Sequence, residues 1–133
     1  MPLERLDHYF VYASDLEVSR HFYSEVLGLP IGARPQFDFP GYWCYLEGRP
    51  VVHLGNEEFT GGYVVGDGPH TISGSTGPVD HIAFRGNDID DFVARFQRLS
   101  VDFQRREVPD FALSQLFVKD PDGVTIELNF FHH

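Results

Sequence analysis

The chain has 133 residues, with 10 Lys plus Arg against 20 Asp plus Glu and a formal net charge of −10. That length fits one compact domain, and an apolar fraction of 42% that includes 13 Phe and 6 Tyr excludes a disordered segment. The acidic balance, with Arg105-Arg106 as the one adjacent basic pair, excludes a polyanion such as nucleic acid as partner.

Cys44 is the single cysteine, so no internal disulfide forms, and its aromatic surroundings (Tyr42-Trp43-Cys44-Tyr45) read as a buried strand rather than a nucleophile. Core packing is also the expected role of those three aromatic neighbours. No signal-peptide layout and no apolar run of membrane-spanning length is present, which predicts a cytoplasmic protein.

In chain order, Leu6-Asp7-His8-Tyr9-Phe10-Val11 predicts a first strand. A Ser-x-x-Glu capping box at Ser14-Asp15-Leu16-Glu17 then opens a helix. Leu16, Phe22, Tyr23, Val26 and Leu27 give that helix its apolar stripe, and Gly28 ends it. Three strand-like runs follow at about 31–37, 42–46 and 50–54, punctuated by Pro40-Gly41 and Glu47-Gly48. Residues 56–77 are rich in Gly, Thr and Ser and read as a linker or a mobile lid. The order then recurs. Val79-Asp80-His81-Ile82-Ala83-Phe84 predicts a strand, and Asn87-Asp88-Ile89-Asp90 starts a helix with Ile89, Phe92, Val93, Phe96 and Leu99 on one stripe. Strand-like runs close the chain at about 101–107, 114–118 and 125–130, with Asp120-Pro121-Asp122-Gly123 as a turn. The sequence therefore holds a strand–helix–three-strand unit twice.

The repeat singles out four residues. His8 and His81 are 73 residues apart, and His53 and Glu127 are 74 apart, so each half carries a potential ligand on its first and on its fourth strand. His53 and Glu127 both stand in aliphatic strand sequence, where a carboxylate is costly to bury unless it is paired or bound to a cation. Three imidazoles and one carboxylate suit Zn, Ni, Co, Mn or Fe and do not suit Ca. Strand alternation places Phe10, Ala83, Arg85 and Asn129 on the same faces as these ligands. His21, His70 and His132-His133 have no such repeat-related partners.

Several runs resemble the vicinal oxygen chelate superfamily, the group of glyoxalases, bleomycin resistance proteins and extradiol dioxygenases. They are Leu6-Asp7-His8, Phe22-Tyr23-Ser24-Glu25-Val26-Leu27-Gly28-Leu29, Val79-Asp80-His81-Ile82-Ala83-Phe84 and Asp120-Pro121-Asp122-Gly123-Val124-Thr125-Ile126-Glu127-Leu128. The resemblance implies an α+β fold of two βαβββ modules, 1–55 and 78–133, forming an open, cup-like mixed sheet with flanking helices. It implies metal ligation by His8, His81 and Glu127, and by His53 where glyoxalase I-like members usually carry Glu or Gln. It nominates Gln115 and Phe117 beside Phe10 and Arg85 as substrate-binding residues.

Three functions follow from the resemblance. The first is a divalent-metal-dependent, glyoxalase I-like lyase or isomerase that stabilises an enolate-type intermediate, with Glu127 as the base. The second is an extradiol-type Fe(II) dioxygenase with His8, His81 and Glu127 as ligands and His53 as acid/base; Phe117 departs from the functional Tyr of several such members. The third is a metal-free drug- or metabolite-binding resistance protein. Small members commonly form homodimers. No cluster of basic residues marks a site for the carboxylates of glutathione, which stays unassigned as a cofactor.

Overall fold

The computed structural model describes residues 2–37, 39–56 and 76–132. The chain divides into two compact units, Met1–Ile72 and Ser73–His133. The expected linker lies almost entirely outside the described residues, as does His70.

The first unit is β1 (Tyr9–Ala13), α1 (Leu16–His21) with a π-helical turn over Phe22–Val26, β2 (Ile31–Gly32), β3 (Gly41–Leu46) and β4 (Arg49–Asn56). Its sheet order is β1-β4-β3-β2, with β1 parallel to β4 and the other pairs antiparallel. The second unit is β5 (His81–Arg85), α2 (Ile89–Arg98), β6 (Gln104–Val108), a 3₁₀ turn (Pro109–Phe111), β7 (Leu113–Lys119) and β8 (Thr125–Phe131). Its order β5-β8-β7-β6 repeats the first. Two four-stranded mixed sheets, each from one βαβββ module, are the fold that the repeat predicts.

Alternation along the strands gives each sheet a packed face and an open face. In the first unit Val11, Ala13, Cys44, Val52 and Leu54 are buried with Phe22, Tyr23, Val26 and Leu27 from the helical segment. In the second, Leu116, Val118, Ile126, Leu128 and Phe130 are buried, and Phe92 and Phe96 of α2 meet Phe130 and Phe103 at ring separations of 5.6 and 5.5 Å. The opposite faces carry the candidate ligands.

Local chemistry explains where elements start and stop. The α1 cap is Asp15 and not the expected Ser14: its Oδ1 accepts from the backbone N–H groups of Glu17 and Val18 at 3.1 and 3.2 Å. Glu17 instead receives bonds from Arg20 and Tyr42. The hairpin between β3 and β4 has positive φ at both Glu47 (52°) and Gly48 (78°), the two-residue turn whose twist matches its strands. β2 is much shorter than the expected 31–37 run because Pro35 has no N–H to give to a ladder, and the chain turns there with Phe37 N–H donating to Pro35 O. β6 starts at Gln104 and not at Val101 because the Val101 N–H closes α2 on Phe96 O at 2.8 Å. The first strand of each unit also starts late, leaving Leu6 and Val79 exposed.

The two helices end alike, with Gly28 (φ 79°) after the first and Ser100 (φ 55°) after α2. Only the second holds a side chain in the left-handed region, which is strained for an L-residue. Ser100→Gly is therefore expected to raise stability by about 0.5–1 kcal/mol, read from the denaturant midpoint; an unchanged or lowered midpoint contradicts this account. Cys44 is fully buried, and desolvation pushes its thiol up to about 12. Native protein is expected to leave a maleimide unreacted at pH 8 until it unfolds, and rapid native labelling would refute that. Tyr42, Trp43 and Tyr45, expected as core, are only half-buried, and within the run Cys44 alone is fully enclosed.

Candidate functional site

Register reproduces the repeat at the level of single residues. Phe10 pairs with His53 across β1/β4, and Ala83 pairs with Glu127 across β5/β8. His8 and His81 each stand two residues before the paired position, on the same open face. Each unit thus carries one imidazole at the start of its outer strand beside one candidate ligand on its inner strand.

Both imidazoles are oriented in the same way. Asp7 Oδ2 lies 2.6 Å from His8 Nδ1, and Asp80 Oδ2 lies 2.8 Å from His81 Nδ1. A carboxylate acceptor on Nδ1 fixes the proton there and leaves Nε2 as a bare lone pair, the arrangement found behind metal-ligating histidines. The Asp-His pairs were visible in the sequence as part of the repeat; their orienting role was not.

The inner-strand residues differ. Glu127 is 8% exposed, yet its Oε2 accepts from Asn129 Nδ2 at 2.8 Å and its Oε1 lies 3.5 Å from His81 Nε2. With the His81 proton on Nδ1, two acceptors face each other across that gap, and a proton or a cation between them removes the repulsion. Donors about 2.1 Å from one ion stand roughly 3.0–3.4 Å apart, close to the gap seen, so His81 and Glu127 fit a divalent metal.

His53 has another setting. Its ring is stacked between His8 (centroids 3.7 Å, planes 10° apart) and Trp43 (4.0 Å, 12°), and its Nε2 lies 3.1 Å from Pro50 O. Stacked parallel rings do not aim two lone pairs at one point, so this geometry suits His8 as a donor and gives His53 no place beside it on the same ion. Burial lowers the His53 pKa from 6.5, and the neighbouring His8 pushes it the same way. Among the described residues, no three His, Cys, Asp or Glu side chains gather as a metal-holding group.

The other candidates fall on the open faces. Phe10 packs edge-on to Tyr12 at 5.0 Å. The Arg85 guanidinium lies 4.2 Å from the Phe131 ring centre. Gln115, 5% exposed, gives Nε2 to Asn129 Oδ1 at 2.9 Å and accepts from Arg106 Nε at 2.8 Å; the Arg106 guanidinium stands 5.3 Å from the Phe117 ring centre. Ala83 is paired with Glu127 and exposed. His21 is exposed on α1, and His132 Nε2 meets Ser114 Oγ at 2.6 Å, on the face opposite the ligands. Arg106 escaped the sequence reading because its two-residue phase against β7 depends on where β6 begins.

Within the described residues no helix is long and apolar enough to cross a membrane.

The chain is similar to known proteins along nearly its whole length. The chain is 28% identical over 132 residues to Glyoxylase I 4 of Arabidopsis thaliana, covering 95% of this chain and 70% of that protein. It is 27% identical over 131 residues to the uncharacterized protein YaeR of Escherichia coli (strain K12), covering 95% of each. The crystal structure of lactoylglutathione lyase from Agrobacterium tumefaciens shares the fold, with a TM-score of 0.71, 19% identity, and coverage of 97% of this chain and 95% of that one. Residues 5–128 match the family description as a whole, and the chain belongs to the Glyoxalase/Bleomycin resistance protein/Dioxygenase superfamily.

Proposed function

We propose that this protein is a divalent-metal-dependent enzyme, a glyoxalase I-like lyase or isomerase that moves a proton beside a carbonyl group. Its metal donors are His81 and Glu127 of the second module, with His8 as the further donor that the resemblance implies. The observation that carries the reading is the bare Nε2 of His81 facing a buried carboxylate across 3.5 Å. Family membership and the names of the Arabidopsis and Agrobacterium proteins support it.

A bound divalent ion supplies Lewis-acid polarisation of the substrate carbonyl. The chain supplies the rest. Asp7 and Asp80 hold their histidines in the donor tautomer. Asn129 anchors Oε2 of Glu127, and Oε1, which faces His81, would take a substrate proton on loosening from a bound ion. Phe117, half-buried and paired with Glu127 across β7/β8, presents an apolar surface beside the carboxylate.

A second reading, an extradiol-type Fe(II) dioxygenase, is favoured by one observation. His53 is held in its stack and away from the ligand role, and the two-histidine, one-carboxylate set of His8, His81 and Glu127 that the resemblance implies would suit Fe(II). His53, whose pKa burial and the neighbouring His8 lower, then serves as the base.

The test loads metal-stripped protein separately with Ni, Co, Zn, Mn and Fe(II). Each form is assayed on the hemithioacetal of methylglyoxal and glutathione, and on catechol with dioxygen. Hemithioacetal isomerisation that disappears in Glu127→Gln supports the first reading. Ring cleavage by the Fe(II) form alone replaces it with the second. A wild-type protein that retains none of the five ions ends both and leaves metal-free small-molecule binding.

A further inference from the structure

We infer that Arg106 is the receptor for an anionic group, a carboxylate or a phosphonate, on a small molecule bound at the open face of the second module. Register aligns Arg106, Gln115, Asn129 and Arg85 in one row across the sheet, with Gln104, Phe117, Glu127 and Ala83 in the next. Within the first row Arg106 Nε donates to Gln115, Gln115 donates to Asn129, and Asn129 donates to Glu127. The two amides thus stand between a guanidinium and a carboxylate that would otherwise attract each other. The terminal amino groups of Arg106 are left open, and Oε1 of Glu127 faces His81.

Three further observations support a ligand there. The Arg106 guanidinium is held twice, by the Gln115 bond and by the Phe117 ring, so its donor fork is ordered before anything binds. Among the described residues no carboxylate pairs with Arg106, a condition it shares with Arg5, Arg34, Arg49, Arg85 and Arg98, so its terminal amino groups are open to an anion. A cavity of about 830 Å³, a size suited to a small molecule, lies beside this row; Gln104, Phe117, Lys119 and Thr125 are among its lining residues, and Arg106 and Glu127 border it without lining it. Lys119 Nζ, held by Thr125 Oγ1 at 3.0 Å, adds a second cation to that wall, and Asp102 is the acidic residue in the lining.

β6 and β8 are two strand spacings apart, roughly 10 Å, and Arg106 reaches inward from β6 as far as Gln115. A compact molecule can therefore place its anionic group on Arg106 while its reactive centre meets Glu127. The anion site itself does not depend on a metal; only this last link rests on the reading above.

The experiment uses full-length, metal-stripped, chelator-free protein at low ionic strength, titrated with pyruvate and with methylphosphonate. The Arg106 Nε–Hε signal is followed by ¹H–¹⁵N NMR, and affinity is measured by calorimetry. A saturable shift of that signal by pyruvate alone assigns a carboxylate, and by methylphosphonate alone a phosphonate. Arg106→Gln is expected to weaken binding by about tenfold or more. Arg106→Lys, which keeps the charge but loses the Gln115 contact, is expected to fall between. Arg105→Gln, on the other face and paired with Glu107, is expected to bind like wild type. No saturable shift with either probe, or equal losses in Arg105→Gln and Arg106→Gln, overturns the assignment. Binding that needs added metal and survives Arg106→Gln also overturns it while leaving the metal reading intact. Anion binding in a protein that retains no metal supports Arg106 and sinks the metal reading alone.

Discussion

His81→Ala and Glu127→Ala are each expected to abolish stoichiometric retention of a divalent metal, measured by elemental analysis after exposure to Ni, Co, Zn, Mn or Fe(II) and dialysis. Removing either donor leaves the other facing an empty position, and the remaining groups cannot dehydrate the ion. Asp80→Asn keeps the shape of the pair but gives up the charge that holds the His81 tautomer. It is expected to weaken metal binding by about 10–100-fold, as the loss of outer-shell partners does elsewhere. His53→Phe preserves a flat ring between His8 and Trp43 and is expected to keep the metal. Loss of metal in His53→Phe together with normal retention in His81→Ala would invert the ligand assignment.

The largest effect on stability is expected from Phe96→Ala. Phe96 is fully buried, the one such residue of α2, with its ring against Phe92 at 6.0 Å and Phe103 at 5.5 Å. Truncating a buried phenylalanine costs about 3–5 kcal/mol through lost transfer free energy and the cavity left behind. That is a large part of the total stability of an ordinary domain. Chemical denaturation should show the loss, and Phe96→Leu should recover much of it because it refills most of the volume. A cost below about 1 kcal/mol for Phe96→Ala would mean that α2 is not anchored by this ring.

Arg85 and Arg106 share an open face with Glu127 inside a strongly acidic chain. Sequence composition averages charge over the whole surface, whereas the sheet sorts it by strand and parity. The absence of a basic cluster along the chain therefore concealed a row that carries an arginine at each end. Residues 85 and 106 come to share one row only through β7 and β8, which lie later in the chain.

The sequence by itself determined the two βαβββ modules and the repeat-related positions of His8, His53, His81 and Glu127. Hydrophobic period and a repeat of constant spacing are local properties, and a ladder with fixed parity turns them directly into sides of a sheet. Element ends followed less closely, because Pro35 and the Val101 N–H end or delay a ladder through single backbone bonds. Tertiary structure alone decided what each paired residue does. His53 and Glu127 occupy equivalent register positions, yet Trp43 and His8 turn one into the centre of a ring stack, while Asn129 and His81 turn the other into a carboxylate tethered at one oxygen and facing an imidazole at the other. Pattern fixes the direction in which a side chain leaves the backbone; its chemistry is set by the atoms from other strands that it meets within about 4 Å.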